Sequence, residues 1–572
     1  MFTTTKSKGV LAALALSVLV LTGCDLTAAT DAFDEFGIVV ELEPINTSVS
    51  GILVDAATGD LVTRRATLTF GGQDAGTLID LYSDPLRTQE VNGGLTSFGV
   101  ANSTQPSPEN PLEFTVTVEV NGYAPTTRVV RVDEVGPDNT FTVRLVNTQR
   151  PPEGVTIDEE TATTDASGAV AEAVEVATRA DAETGAAAGV SIPEGTVFRT
   201  RGGEALTGRL TTQVTHYSTT STAALEAVTG EFKDAETGNA LAALGIASLA
   251  VTDEQGRRAG QFDGAEDLAM TFAVDADESA EDLALSSFDP ERGWVTLETE
   301  ITEVDAPSAT RLQGASGIRW FSIRIIELPR IPGLLNTNYN TDLNYLLSRF
   351  TVPSLTCSVS GNLTIARNGN TGPLEVKVQG GGLVYNETIK RGTDDVTVNF
   401  ADLLPVTSVF SGLTASVTVS AGDSETTVEN VSPCGGTYTA TLPTRQVDNT
   451  NQVQLHLIPN CPAGELARVT NVPTVQVFYR PTGSSGTPVA AGQPNWILND
   501  PDSPTYLVRG ELNVDDLDAG TSYTFFSTYD GQTYEEDIVV PEPGTASKRV
   551  TDDNGVERDV VEISGEVDDV CS

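Results

Sequence analysis

The chain has 572 residues, with 80 acidic against 33 basic side chains and a formal charge of −47 at pH 7. That length holds several domains if each runs to about 100–200 residues, and the charge repels nucleic acid, so no nucleic-acid partner is expected. Aromatic residues make up 6% and charged residues 20% of the chain, which suits turn-rich β-structure and not disorder. Only Lys6, Lys8, Lys233, Lys377, Lys390 and Lys548 are lysines. With acid spread along the whole chain, the composition fits a saline medium, where a Debye length of about 3 Å at 1 M salt removes self-repulsion, ahead of the alternative of a generically acidic secreted protein.

At the start, Lys6 and Lys8 precede an apolar run from Val10 to Leu21. This is the charged region and short apolar core of an export signal, since a membrane span needs about 20 apolar residues. The run ends in Leu21-Thr22-Gly23-Cys24, which resembles the lipobox of bacterial lipoproteins. The resemblance implies that residues 1–23 are a removed signal peptide and that Cys24 is the lipidated site. It also implies attachment to a membrane through the N-terminal lipid, in the cell envelope, with the outer membrane or cell surface expected ahead of the inner membrane. Residues 24–46, with Asp31, Asp34 and Glu35 among small polar residues, read as a tether.

The fold class expected for the rest is mainly β, as tandem β-sandwich modules. At Val49 to Asp60 an apolar run meets a Thr-Gly-Asp turn. Further on, Phe114, Val116, Val118 and Val120 alternate with Thr115, Thr117, Glu119 and Asn121 before Gly122-Tyr123 breaks the run. The Val-Ser-Gly-x-x-Val-Asp start with its later Asn-Gly-Tyr closure resembles the carboxypeptidase-regulatory-like domain. That implies a transthyretin-like seven-stranded sandwich over residues 47–147 with no catalysis of its own. Between Asp84 and Pro111 only Ser97 to Val100 reads as a strand.

Arg150-Pro151-Pro152-Glu153-Gly154 is a linker. An Ala-, Glu- and Thr-rich stretch to Ala188 follows, part of it read as helical and Val170 to Val176 as a strand. Val190 to Phe198, Leu206 to Tyr217, Val251 to Gly260 and Phe288 to Trp294 resemble, in order, the segments of ZU5-like β-domains. The resemblance implies a structural or protein-binding module at 155–326. Residues 327–350 read as a connector whose amphipathic end, Leu343 to Phe350, forms a helical turn or two. Alternation at Val396, Val398 and Phe400, and again at Leu413, Ala415, Val417 and Val419, gives an immunoglobulin-like sandwich at 351–445. The last unit, 450–572, alternates at Val475, Val477 and Tyr479, and its Asp518 to Phe525 segment resembles the closing strands of fibronectin modules.

With Cys24 assigned to lipid, Cys357, Cys434, Cys461 and Cys571 are an even set in an exported chain, with three possible pairings. The domain reading selects Cys357 with Cys434 and Cys461 with Cys571. Each such bridge closes a long loop, worth roughly 4–5 kcal/mol in the chain-entropy picture. A zinc site or reactive thiol is disfavoured by the lack of any Cys-x-x-Cys and by the compartment.

His216 and His456 are the only histidines, each inside a strand-like alternation, and both read as packing or surface residues. Their scarcity speaks against a Ser-His-Asp triad or a His-based zinc site, and no nucleophile elbow or phosphate loop occurs. Trp294, Trp320 and Trp496 are scattered and read as core. The acid clusters at Asp275 to Glu278, Asp515 to Asp518 and Asp552 to Gly555 read as solvated turns, with calcium as the alternative. No metal site is assigned, no cofactor is expected, and the chain is not expected to be an enzyme. It reads as a lipid-anchored binding, adhesive or spacer protein shaped as a rod of modules, with another envelope protein or a glycan as partner. The alternative is an accessory lipoprotein of a transporter or enzyme complex that binds a solute or glycan in a cleft.

Overall fold

The computed structural model describes residues 45–566 apart from 81–82, 137–138, 182–183, 201, 264–267, 276–279, 298, 305–317, 326–342, 350–359, 371–373, 390–393, 405–413, 422–423, 445–449, 461–475, 499–507, 530–531 and 553–554. The signal, the tether and Cys24 lie outside the described residues. From Ile45 onward the chain forms one compact unit, mainly β, built of four packed modules.

The first module contains β1 (Thr47–Asp55), β2 (Ala66–Gly71), β3 (Leu78–Ile79), β4 (Thr88–Val91), β5 (Leu95–Val100), β6 (Leu112–Val120), β7 (Thr126–Val132) and β8 (Asn139–Leu145). Its sheets run β3-β5-β1-β8 and β4-β2-β6-β7, with β1 and β8 parallel. Between them Phe98 meets Phe70 edge-on at 4.8 Å and Phe114 at 5.9 Å. Gly51 gives Phe141 its place, because a Cβ there would lie 2.4 Å from the ring.

The second module contains β9 (Val155–Thr163), β10 (Val174–Ala177), β11 (Ala187–Ile192), β12 (Val197–Arg199), β13 (Arg209–Tyr217) and the short helix α1 (Thr222–Glu226). It continues with β14 (Ala243–Asp253), β15 (Gln261–Asp263), β16 (Leu268–Asp275), β17 (Leu283–Asp289), β18 (Gly293–Leu297), β19 (Ile301–Val304), β20 (Ile318–Ile325) and β21 (Leu343–Arg349). A six-stranded sheet, β18-β17-β21-β14-β13-β9, faces a five-stranded one, β10-β11-β16-β20-β19, with a small β12-β15 pair beside them. Two expectations are corrected here. The Ala-, Glu- and Thr-rich stretch, part of it expected to be helical, supplies the strand β9 and also β10, which overlaps the strand expected at Val170 to Val176. Leu343 to Arg349 is neither connector nor helical turn but an inner strand between β17 and β14, which carries the module past residue 326. Leu346 and Leu347 are both fully buried, in different cores on its two faces. A strand buried on both faces reads as a short apolar run, which periodicity cannot tell from a helical turn.

The third module contains β22 (Asn362–Ala366), β23 (Leu374–Gly380), β24 (Leu383–Ile389), β25 (Val396–Asn399), α2 (Phe400–Leu403), β26 (Ala415–Ala421), β27 (Ser424–Val431) and β28 (Thr437–Thr441). Phe400, expected to extend a strand, instead opens α2. The fourth module contains β29 (Thr450–Asn460), β30 (Val477–Pro481), β31 (Val489–Gly492), β32 (Asn495–Leu498), β33 (Val508–Asp518), β34 (Ser522–Tyr529), β35 (Gln532–Val539), β36 (Arg549–Thr551) and β37 (Glu557–Glu566).

Both are two-sheet sandwiches: β25-β22-β28 over β24-β23-β26-β27, and β32-β33-β29-β37-β36 over β31-β30-β34-β35. Without the short extra strands β3, β32 and β36, modules one, three and four share one order. Their fourth, first and seventh strands form one sheet, and their third, second, fifth and sixth form the other. In each the first and last strands pair in parallel. Constant-type immunoglobulin domains group ABED and CFG, so the likeness to them lies in the sandwich architecture, while the strand order is that of the first module.

Candidate functional site

The outer faces of the sheets are where the modules meet. Every residue of β1 and β5 is buried, although only alternate ones face the first module's core. Ile52, Val54 and Leu95 point outward and pack with Phe478 and Phe526 from the outer face of β30 and β34 in the fourth module. Around this apolar centre the fourth module donates three hydrogen bonds to the first. Gln493 Nε2 reaches Ser48 Oγ at 2.5 Å, Thr533 Oγ1 the Asn92 carbonyl at 2.8 Å, and Thr528 Oγ1 the Leu95 carbonyl at 3.3 Å. Arg480 lies 5.4 Å over the Phe526 ring and 3.5 Å from Asp60. The fit depends on Gly93, at φ +91°, where a Cβ would stand 2.4 Å from Thr533 Cβ.

The first module's other sheet is covered in part, over Thr115, Thr117 and Thr127, while Thr88 and Glu90 on its edge strand β4 are exposed. Thr115 Oγ1 donates to the Pro290 carbonyl at 2.6 Å, and the Gly230 N–H donates to the Thr127 carbonyl at 2.8 Å, both across to the second module. Arg128 and Glu231 attract each other electrostatically across this boundary. Burial pulls the guanidinium down and pushes the carboxyl up, and their mutual attraction opposes both shifts.

A third junction centres on Glu226 at the end of α1, its side chain 8% exposed. One carboxylate oxygen is 3.1 Å from Arg144 Nε of the first module, and the other is 2.5 Å from Lys377 Nζ of the third. Thr222, one helical turn earlier, donates to Gln379 Oε1 at 2.5 Å, so α1 is strapped to β23 at two points. Tyr385 donates to the Phe232 carbonyl at 2.5 Å, and burial, reinforced by Glu231, raises its pKa well above the usual value. Beside the strap opens a groove of about 600 Å³, lined by Thr219, Thr220, Thr222, Gln379, Ser416 and the backbone of Gly380 to Gly382. The lining carries no charge and no aromatic ring.

The residues singled out by sequence fall as follows. His216 and His456 are each 1% exposed, so neither presents an imidazole to solvent. Burial holds His216 down at about 4, against a small opposing pull from Asp181, whereas His456 Nε2 sits 2.8 Å from Gln454 Oε1. Trp294 is fully buried against Phe288, Trp496 is half-buried, and the side chain of Trp320 lies outside the described residues. Cys434 is disulfide-bonded, while Cys357, Cys461 and Cys571 lie outside the described residues.

Of the acid clusters, Asp552 and Asp515 both bind Arg558, at 2.7 and 2.5 Å, and Asp552 also accepts from the Val556 N–H. The side chains of Asp275 to Glu278 lie outside the described residues, and among the described residues no group of three metal-ligating side chains occurs. A repeated signal went unread. Asp55, Asp165, Asp181, Asp234, Asp253, Asp289 and Asp552 each open a turn and accept backbone N–H groups two to four residues on. At Asp234 the carboxylate accepts the Thr237 N–H at 2.8 Å and the Thr296 hydroxyl at 2.8 Å. Burial alone would raise its pKa, but these bonds outweigh it and the pKa is lowered.

No family model matches the chain, and no curated protein matches it. A solved structure of Down Syndrome Cell Adhesion Molecule isoform 1.30.30, its N-terminal eight Ig domains, aligns with 87% of this chain and 69% of its own at 8% identity. The TM-score is 0.11, at which neither fold nor function carries across.

Proposed function

We propose that this chain is a lipid-anchored cell-envelope protein that works by binding or adhesion as one interlocked body. The observation that carries the reading is the use of sheet faces to lock one module to another, the outer face of β1 and β5 being covered by the fourth module and part of the first module's other sheet by the second. A flexible string of beads would leave those faces solvated, so the rod expected from sequence gives way to a folded-back assembly. Both histidines are sealed in strands, which removes the usual proton-transfer group from solvent. Two experiments test the reading. Labelled palmitate should enter the protein through Cys24 and be lost in Cys24→Ser. Capture from detergent-solubilised envelope should recover one stoichiometric envelope protein or surface glycan. A chain without lipid, or one that recovers neither, would overturn it.

The groove beside α1 favours a second reading, a solute- or glycan-binding accessory protein. A concave, uncharged, hydroxyl-lined surface suits a neutral polyhydroxylated ligand better than an ionic one. Glycan-array binding that is abolished by Gln379→Ala and Ser416→Ala together would favour this reading over the first.

A further inference from the structure

We infer that the outer face of β25, β22 and β28 in the third module is a docking surface for a neutral glycan chain. This deepens the binding reading and rests on it. On that face the strand register sets side chains in cross-strand rows. Thr364 of the central strand lies between Thr397 and Thr439, and Asn362 lies between Asn399 and Thr437. The alternate residues Leu363 and Ile365 are fully buried in the core, so the pleat turns these hydroxyls and amides outward. Unlike the outer face of β1 and β5, which the fourth module covers, this one stays open. Thr397, Thr437 and Thr439 are exposed, and Asn362, Thr364 and Asn399 are half-buried.

Charge, polarity and order together select the partner. The rows carry no charge in a chain of −47, whereas the outer face of the opposite sheet presents the exposed Glu375 and Glu425. At the end of the grid Asp395 directs Oδ1 to the Arg367 N–H at 3.0 Å. With no cation in the rows to receive them, uronic acids, sulfated sugars and nucleic acid meet only the repulsion of the surrounding acid. The rows also offer no aromatic ring and no large apolar side chain, the groups that build the centre of a protein interface. What they do offer is ordered hydrogen bonding. The Thr364 and Thr397 hydroxyls lie 3.1 Å apart, and Asn399 Nδ2 donates to Asn362 Oδ1 at 3.2 Å, so these side chains are held before a ligand arrives and less ordering is left for binding to supply. The threonine pair spends one of its two hydroxyl protons on itself. Members of a row stand about 4.8 Å apart and the rows about 6.6 Å apart, so one sugar chain can hydrogen-bond several of them at once.

The test applies the full chain, in detergent, to an array of neutral glucans, mannans, galactans and chitin oligosaccharides, with uronic-acid and sulfated glycans beside them. Binding is expected to neutral members alone. It should weaken about tenfold or more in Thr364→Glu, which sets a carboxylate in the middle of the grid. Thr397→Val with Thr439→Val deletes two hydroxyls while keeping β preference, and this pair replaces the glutamate variant if that one lacks a cooperative thermal transition. Thr427→Glu, at an exposed position of the opposite sheet, should bind as the unmodified chain does. An array on which no neutral glycan is bound overturns the inference, as does binding that survives the face variants. Binding lost in Gln379→Ala with Ser416→Ala but kept in the face variants also overturns it, because the ligand then sits in the groove beside α1. An empty array together with capture of one stoichiometric envelope protein sinks this inference and leaves the binding reading standing. If both come back empty, both fall.

Discussion

The seam between modules one and four and the junction around Glu226 do the same job by opposite means. At the seam, apolar side chains and neutral hydrogen bonds carry the contact, with the Asp60–Arg480 ion pair at the rim. At the junction a nearly buried carboxylate is held between a cation from the first module and another from the third. In a chain of charge −47, cations are the scarce component, and Lys377 is one of only six lysines. The contrast shows two ways of joining modules in an acidic chain, one that keeps charge out of the contact and one that sets a nearly buried carboxylate between cations from two other modules. Salt should therefore act differently on the two contacts, since screening reaches exposed charges and largely spares buried ones.

The largest effect is expected at the junction. Glu226→Ala leaves Arg144 and Lys377 facing each other without a counter-charge, which should cost about 3–5 kcal/mol in denaturant unfolding. Replacing Glu226, Arg144 and Lys377 together with leucine should recover most of that loss, because an uncharged set has no stranded ion. If the triple variant is as unstable as the single one, the junction is held by packing and not by charge. At the seam, Phe526→Ala should cost about 3–4 kcal/mol as a deleted buried ring. The loss should be the same at low and at molar salt, a comparison that chemical denaturation in both media reads directly.

Acid separates these contacts from the interior of the second module. His216 is neutral in the fold, held at about 4 by burial, against an ordinary value of about 6.5 in the unfolded chain. The unfolded chain therefore binds more protons between those values. The neutral imidazole's contribution is fully present above about pH 6.5 and is lost as pH falls towards 4, on the order of 3 kcal/mol in all. His216→Asn should flatten the stability curve over pH 4 to 6.5, whereas a seam variant such as Phe526→Ala should leave its slope unchanged.

Much of the strand pattern was legible and almost none of the docking was. Alternation at Phe114 to Val120 marks β6 because one face must enter a core. The same pattern gives no hint that Thr115 and Thr117 on the other face are also buried, since a threonine under a neighbouring module looks like a threonine in water. Leu343 to Arg349 was misread for the related reason that it is covered on both faces. Glu226 sits in an unremarkable Thr-Ala-Ala-Leu-Glu stretch, and its partners come from two other modules, so no local signal could have found it. The turn aspartates were findable, because Asp followed three or four residues on by Gly recurs along the chain. An aspartate at the head of such a turn spends its carboxylate on the turn's own backbone N–H groups.

The smallest effect is the sharpest test of the seam's character. Asp60 is about half exposed and sits 3.5 Å from Arg480, whose guanidinium also donates to the Gly486 carbonyl at 3.0 Å and lies over Phe526. Arg480 thus has three attachments, and the ion pair is the most solvated of them. Asp60→Asn removes that attraction while leaving the backbone of the turn, in which Asp60 accepts the Asp55 N–H, as it is. An exposed pair of this kind is worth about 0.2–1 kcal/mol and fades with salt. The variant should therefore lose no more than that at low ionic strength and nothing measurable near 1 M. A loss above about 2 kcal/mol, or one that persists in molar salt, would mean that the seam depends on the Asp60–Arg480 ion pair, and its contrast with the Glu226 junction would no longer hold.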